Sequence, residues 1–321
     1  NMKYIVVSLL FIFGSVAISN AEISISNSVM NDISQSYGFY LGQKQSLDKI
    51  AADFPDLAAK AKLAELEFFV KFGISLNAID AQATTASKAE WTKIKASLSS
   101  QVSENLKSRQ ITLTEAEDFI KLVSSRAEGN LPSPIIETLL IFNPRFQKRP
   151  EVEFFEGFTK TYKNDGSGKS KGVAFNLIAP ISWKAIDGNR PNIAVKFINE
   201  NGRGLNTFLV LINEIPNEPG QGITWDDIKE ILDPTIISQM VPKGASITAS
   251  GLYSLENLPG YWVNYNMNVL RGKISINTNA QVYTVFHKNR MIQMQGFSPI
   301  EVDNVKIPDV SFEKYQPLFD L

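Results

Sequence analysis

At 321 residues, with 44% hydrophobic and 20% charged side chains, the chain is long enough to bury one large core or two smaller ones. Its 32 Lys and Arg stand against 33 Asp and Glu, so no net field draws it toward nucleic acid, an anionic membrane or an acidic substrate. The absence of Cys excludes disulfides, thiol nucleophiles, thiolate metal sites and a lipidated cysteine.

The N-terminus carries Lys3, an apolar run from Tyr4 to Phe13 and a small-x-small ending at Ser19-Asn20-Ala21. This is the pattern of a secretory signal, with cleavage expected after Ala21. The run falls short of the about 20 residues a spanning helix needs, and no later segment reaches that length. A signal peptide over 1–21, near-neutral charge and no cysteine together describe a bacterial periplasmic or secreted protein.

From about Ser28 to Tyr162 the apolar period is helical. Ile33, Tyr37, Tyr40, Leu41, Leu47 and Ile50 share one face, and Phe54-Pro55 marks a stop and a new start. Leu57, Ala61, Ala64, Phe68 and Phe72 form the next stripe. Ser87 with Glu90, and Thr114 with Glu117, match the capping box, in which hydroxyl and carboxylate satisfy the orphan N–H groups of a helix start. The first of these starts leads Trp91, Ile94, Leu98, Val102 and Leu106; the second leads Phe119, Leu122 and Val123. Ser133-Pro134 and Arg149-Pro150 are further starts, and Val152, Phe155, Phe158 and Tyr162 read as one more amphipathic face. Gly38-x-x-x-Gly42 indicates close helix packing.

Lys163 to Lys171 holds no apolar residue and reads as a linker loop. Beyond it the period is two. Val173, Phe175 and Leu177 start a strand, Pro180 ends it, Ser182 to Ala185 resumes it and Asp187-Gly188 turns. Further strands are expected at Ile193 to Phe197 and Thr207 to Ile212. A helix capped by Thr224 with Asp227 interrupts them.

The hairpin from Tyr261 onward has the firmest geometry. A turn at Arg271-Gly272 pairs Asn266 with Asn277, Asn264 with Asn279 and Trp262 with Gln281, leaving Val263, Tyr265, Met267 and Val269 on the other face. For the following strand, a three-residue loop Lys288-Asn289-Arg290 aligns Phe286 with Ile292 and Thr284 with Met294. A two-residue loop pairs Phe286 with Met291 and Thr284 with Gln293, and the apolar pattern favours the longer loop. That choice gathers Trp262, Asn264, Asn266, Asn277, Asn279, Gln281, Tyr283, Gln293 and Gln295 on one uncharged face, suited to a neutral polyhydroxyl ligand or a partner backbone. The plainer reading is a wet face, or one covered by a helix.

Phe175-x-Leu-x-x-Pro180-x-x-Trp183, the strand ending at Leu211-Ile212, the helix from Trp225, Leu258-Pro259-Gly260, and the strands Val282 to His287 and Met291 to Gln295 together resemble the PsbP-like domain. That is the fold of an extrinsic photosystem subunit and of many bacterial exported proteins. The resemblance spans about Gly172 to Leu321 and implies an antiparallel sheet packed with helices. The family mostly docks or stabilises partners and shares no catalytic site, so no functional residue carries over. The expected architecture is therefore α+β: signal peptide 1–21, helical region 22–162, linker 163–171 and a PsbP-like domain 172–321. The last apolar residues, Phe312, Tyr315, Leu318 and Phe319, describe a terminal helix too short to persist without docking.

The chemistry-bearing residues are few. His287 is the only histidine, which leaves no His-based zinc site, and no serine sits in a G-x-S-x-G turn. No metal or cofactor is implied. Asp226-Asp227, Glu151-Glu153 and Glu115 with Asp118 are carboxylate pairs, each at a helix start where acids are expected for the dipole. Gly166-Ser167-Gly168-Lys169 lacks the phosphate-loop frame. The expectation is a non-catalytic exported binding or accessory protein; the alternative is a periplasmic hydrolase with an unrecognised carboxylate site. The partner is expected to be a protein or a neutral polar ligand rather than nucleic acid.

Overall fold

The computed structural model describes residues 26–215, 222–271, 273–307 and 312–321. The expected signal segment and its cleavage point lie outside the described residues. The chain divides into two compact units, one ending at Lys148 and one running from Arg149 to Leu321.

The first unit is helical: α1 (Asn27–Asp53), α2 (Ala58–Lys107), α3 (Leu113–Ala127), α4 (Ser133–Ile141) and α5 (Pro144–Lys148). Ser87 breaks α2 with extended dihedrals, φ −161° and ψ 95°, and its Oγ accepts the Glu90 N–H, so a new helix starts there as its sequence requires. The two arms of α2 meet through Asp80, which accepts from Trp91 Nε1 at 2.9 Å and from Lys95 Nζ at 2.7 Å. Gly38 lets α1 approach the second arm; a Cβ there would stand 3.2 Å from Leu98. The capping box of α3 uses Thr112 and Glu115 in place of Thr114 and Glu117. Both frames occur in the overlapping Thr-Leu-Thr-Glu-Ala-Glu run, and the earlier one adds half a turn of helix.

The second unit begins with α6 (Pro150–Phe155), which ends seven residues sooner than the helical reading to Tyr162. Thr159–Asn164 is instead strand β1, paired antiparallel with β2 (Phe175–Pro180), so that Tyr162 faces Leu177. Lys163 and Asn164 close β1, and the rest of the polar stretch to Lys171 lies in the connection to β2. Tyr162 packs edge-on against Phe197, a contact that outweighs the weak helical period of a short segment.

The main sheet is antiparallel and eight-stranded. Its members are β3 (Lys184–Ile186), β4 (Ile193–Ile198), β5 (Thr207–Glu214), β6 (Ser246–Leu255), β7 (Leu258–Arg271), β8 (Ile274–His287), β9 (Arg290–Val302) and the short β10 (Val305–Lys306). The order is β3-β4-β5-β9-β8-β7-β6, with β10 on β9. The turn α7 (Asn199–Gly202) follows β4, while α8 (Trp225–Ile231) and α9 (Pro234–Met240) precede β6. One face packs Ile228, Ile231 and Ile237 of α8 and α9 against Leu209, Leu211, Val263, Tyr265, Val282 and Phe297. The other packs Trp183, the β1–β2 hairpin and α10 (Phe312–Phe319) against Val195, Phe197, Val210 and Ile212. Phe319 lies directly on Gly296, where a Cβ would meet its ring at 2.5 Å, so α10 docks as its length demands.

Candidate functional site

β7 and β8 pair Arg271 with Ile274, Asn268 with Asn277, Asn266 with Asn279, Asn264 with Gln281 and Trp262 with Tyr283. The register is two residues away from the one expected for an Arg271-Gly272 turn. A shift of two preserves side-chain parity, so the amides stay together while each acquires a different partner.

The strand β9 behaves otherwise. His287 pairs with Arg290 and Phe286 with Met291, which makes the connection the two-residue loop Lys288-Asn289, with Lys288 at φ 53°. This one-residue difference moves Gln293 and Gln295 off the amide face and into the core beside α8 and α9. Both are 1% exposed; Gln295 Nε2 donates to Gln293 Oε1, and Gln293 Nε2 donates to Thr284 Oγ1, each at 3.3 Å. The displaced Ile292 and Met294 pack on the α10 side instead. Alternation could not select the register because β9 is covered on both faces.

The remaining seven predicted residues, Trp262, Asn264, Asn266, Asn277, Asn279, Gln281 and Tyr283, share one face of β7 and β8. Asn264, Asn266, Asn277 and Asn279 are half-buried, whereas Gln281 is 3% exposed. At one end the face is aromatic. Trp262 leans over Gly251 of β6, where a Cβ would stand 2.7 Å from its Nε1. Tyr253 reaches across Gly260 to Tyr283, with ring centroids 4.6 Å apart. The sequence reading missed Tyr253, although its position opposite a glycine on an edge strand is a usable signal.

The last turn of the chain closes this end. Asp320 accepts hydrogen bonds from Tyr283 Oη at 2.5 Å and from Gln281 Nε2. Burial, and then the Asp320 carboxylate, push the Tyr283 phenol well above its ordinary range. Toward the middle of the face, Gln281 Oε1, Asn264 Oδ1 and the wholly buried Ser298 Oγ have no partner among the described residues. Ser298 faces Asn279 across β8 and β9. At the far end Ser275 Oγ donates to Asn268 Oδ1 at 2.9 Å. The surface thus offers donors and acceptors of both kinds beside an aromatic platform.

The carboxylate candidates serve local structure. Asp227 closes the capping box with Thr224, and Glu115 closes the one with Thr112. Glu151 accepts from Arg149 Nε at 2.8 Å. Glu153, 3% exposed, accepts from the Ser182 N–H at 2.9 Å and the Ser182 hydroxyl at 2.6 Å. Burial pushes its carboxyl up to about 7 against the opposing pull of these bonds. His287 sits half-exposed at the end of β8. Among the described residues no group of His, Cys, Asp and Glu could hold a metal ion, and no helix is long and apolar enough to cross a membrane.

No family model and no curated protein matches the chain. Among solved structures it has a weak PsbP-like similarity, to the solution structure of cyanobacterial PsbP from Synechocystis sp. PCC 6803. The two are 20% identical over 50% of this chain and 87% of the other, with a TM-score of 0.30.

Proposed function

We propose that this chain is an exported, non-catalytic binding or accessory protein that engages a protein backbone or a neutral polar ligand through the amide and aromatic face of β7 and β8. One observation carries the reading: Asn264, Asn266, Asn277 and Asn279 stand half-exposed in a row on β7 and β8, beside the rings of Trp262, Tyr253 and Tyr283. Amides that lose their water to an occupant cost about 1 to 3 kcal/mol each unless it supplies complementary donors and acceptors, so a polar occupant is the one that fits. Between Asp320 at its aromatic end and Glu301 beside Asn277 the face carries amides rather than charge, and Trp262, Tyr253 and Tyr283 supply the flat apolar surface that sugar rings and peptide planes share. In this reading residues 1–21 are the signal segment, and the helical unit is an appendage of its own.

The test compares proteins captured by the tagged mature chain with those captured by an Asn266→Ala/Asn279→Ala double variant, and titrates both with a panel of neutral oligosaccharides while recording heat. Loss of a captured partner or of binding heat in a variant that melts like the parent supports the proposal. Identical capture and identical heats in the two proteins refute it.

A further inference from the structure

The two edges of the main sheet are unlike. β3 is three residues long and begins with Lys184, which is a blunted edge. β6 is ten residues long, Ser-Ile-Thr-Ala-Ser-Gly-Leu-Tyr-Ser-Leu, with neither a charge nor a proline, and among the described residues it pairs only with β7. Its one irregularity, the bulge between Ile247 and Ala249, lies near the start and leaves the rest regular. Leu252 is 50% exposed on this edge, on the sheet face that carries α8 and α9. Beside the first half of the strand, under α9, opens a cavity of about 480 Å³ lined by Leu232, Ile237, Val241, Ile247, Thr248 and Ser250.

We infer that the free edge of β6 docks the β6 of a second copy of this chain, antiparallel about a two-fold axis through Ser250. Two observations select a second copy over an unrelated strand. The side chains of facing residues must lie on one side of a continuous sheet, so the permitted registers pair residues of like parity. With Ser250 opposite Ser250, Leu252 of each copy falls opposite the Ile247–Thr248 bulge of the other, where Ile247 lies on the same sheet face. The exposed leucine then meets the mouth of that cavity, where Ile237, Val241 and Ile247 supply apolar lining, and it does so twice by symmetry. The same register brings Glu256, just past one end of the strand, beside Lys243, just before the other, so the only charges flanking the edge are paired across the axis. A one-residue slip would put Leu252 on the wrong face and lose both features. The amide face is not consumed by this pairing, so the inference stands apart from the proposed ligand site.

Because the chain has no cysteine, the axis can be marked directly. Light scattering on the purified protein over a range of concentrations is expected to show a mass rising to twice that of one chain. Ser250→Cys should give a disulfide-linked dimer under mild oxidation, while a Thr235→Cys control on α9 should not. Ser250→Lys and Ser250→Asp, exposed changes that leave the circular dichroism spectrum and melting unaltered, should each be monomeric, and their equimolar mixture should recover the dimer. A single-chain mass at every concentration overturns the inference, whatever other strand the edge accepts. So does a doubled mass that survives Ser250→Lys, or one in which Ser250→Cys fails to cross-link, since the copies then meet elsewhere.

Discussion

Glu153 on α6 accepts two hydrogen bonds from Ser182, one from its backbone and one from its hydroxyl, and so ties the first helix of the second unit to the segment entering β3. The carboxyl has Lys160 and Tyr315 in its electrostatic surroundings, and burial still outweighs the bonds that favour its charged form. A carboxyl at about 7 in the folded chain and 4.5 unfolded binds more protons when folded throughout that interval. Its contribution to stability is therefore complete below pH 4.5 and is lost as pH rises through 7, on the order of 3 kcal/mol in all. The stability of the protein minus that of Glu153→Gln, measured by denaturant titration at stepped pH, should fall across this window. A difference independent of pH would show that the carboxyl is ordinary.

Trp183 lies in the core between the β1–β2 hairpin and α10, 4% exposed, with Tyr315 and Phe319 edge-on at 6.2 and 6.3 Å. Trp183→Ala should cost roughly 3 to 5 kcal/mol. Melting within a degree of the parent would contradict that placement.

Gly296 is the floor on which Phe319 rests. Gly296→Ala forces that ring away and should cost about 1 to 3 kcal/mol. The loss should be concentrated in α10, whose amides would exchange with solvent faster while those of α8 and α9 keep their protection; uniform loss across the unit would argue against local undocking.

Asp80 is the shared acceptor of Trp91 and Lys95 at the break in α2. Asp80→Ala leaves a wholly buried indole N–H without its partner and should destabilise the helical unit by about 1 to 3 kcal/mol. Asp80→Asn, which keeps a carbonyl acceptor, should recover most of it. Equal losses in the two variants would mean that the Lys95 ion pair, not the indole bond, sets the stability.

Asn266 and Asn279 face each other at the middle of the amide surface, half-buried. Their joint replacement by Ala should move the melting temperature by less than a few degrees, because both already meet solvent. Unfolding of this variant would reveal a structural polar ladder in place of a binding surface.

The separation of amides from apolar residues on β7 and β8 was legible in the chain alone, because side-chain period in a strand is two and any register that buries Val263 and Tyr265 exposes Asn264 and Asn266. The helix start at Ser87 and the docking of the terminal helix were legible for similarly local reasons, a cap and an amphipathic stripe too short to stand unsupported. What the tertiary structure decided was everything that depends on cover from both sides. Gln293 and Gln295 left the amide face because β9 lies between two cores, where alternation no longer distinguishes inside from outside. Thr159–Asn164 became a strand because β2 was there to pair with it, a partner that no local period announces. The enclosure of Gln281 by Asp320 likewise joins positions 39 residues apart, and only the path of the folded chain brings them together.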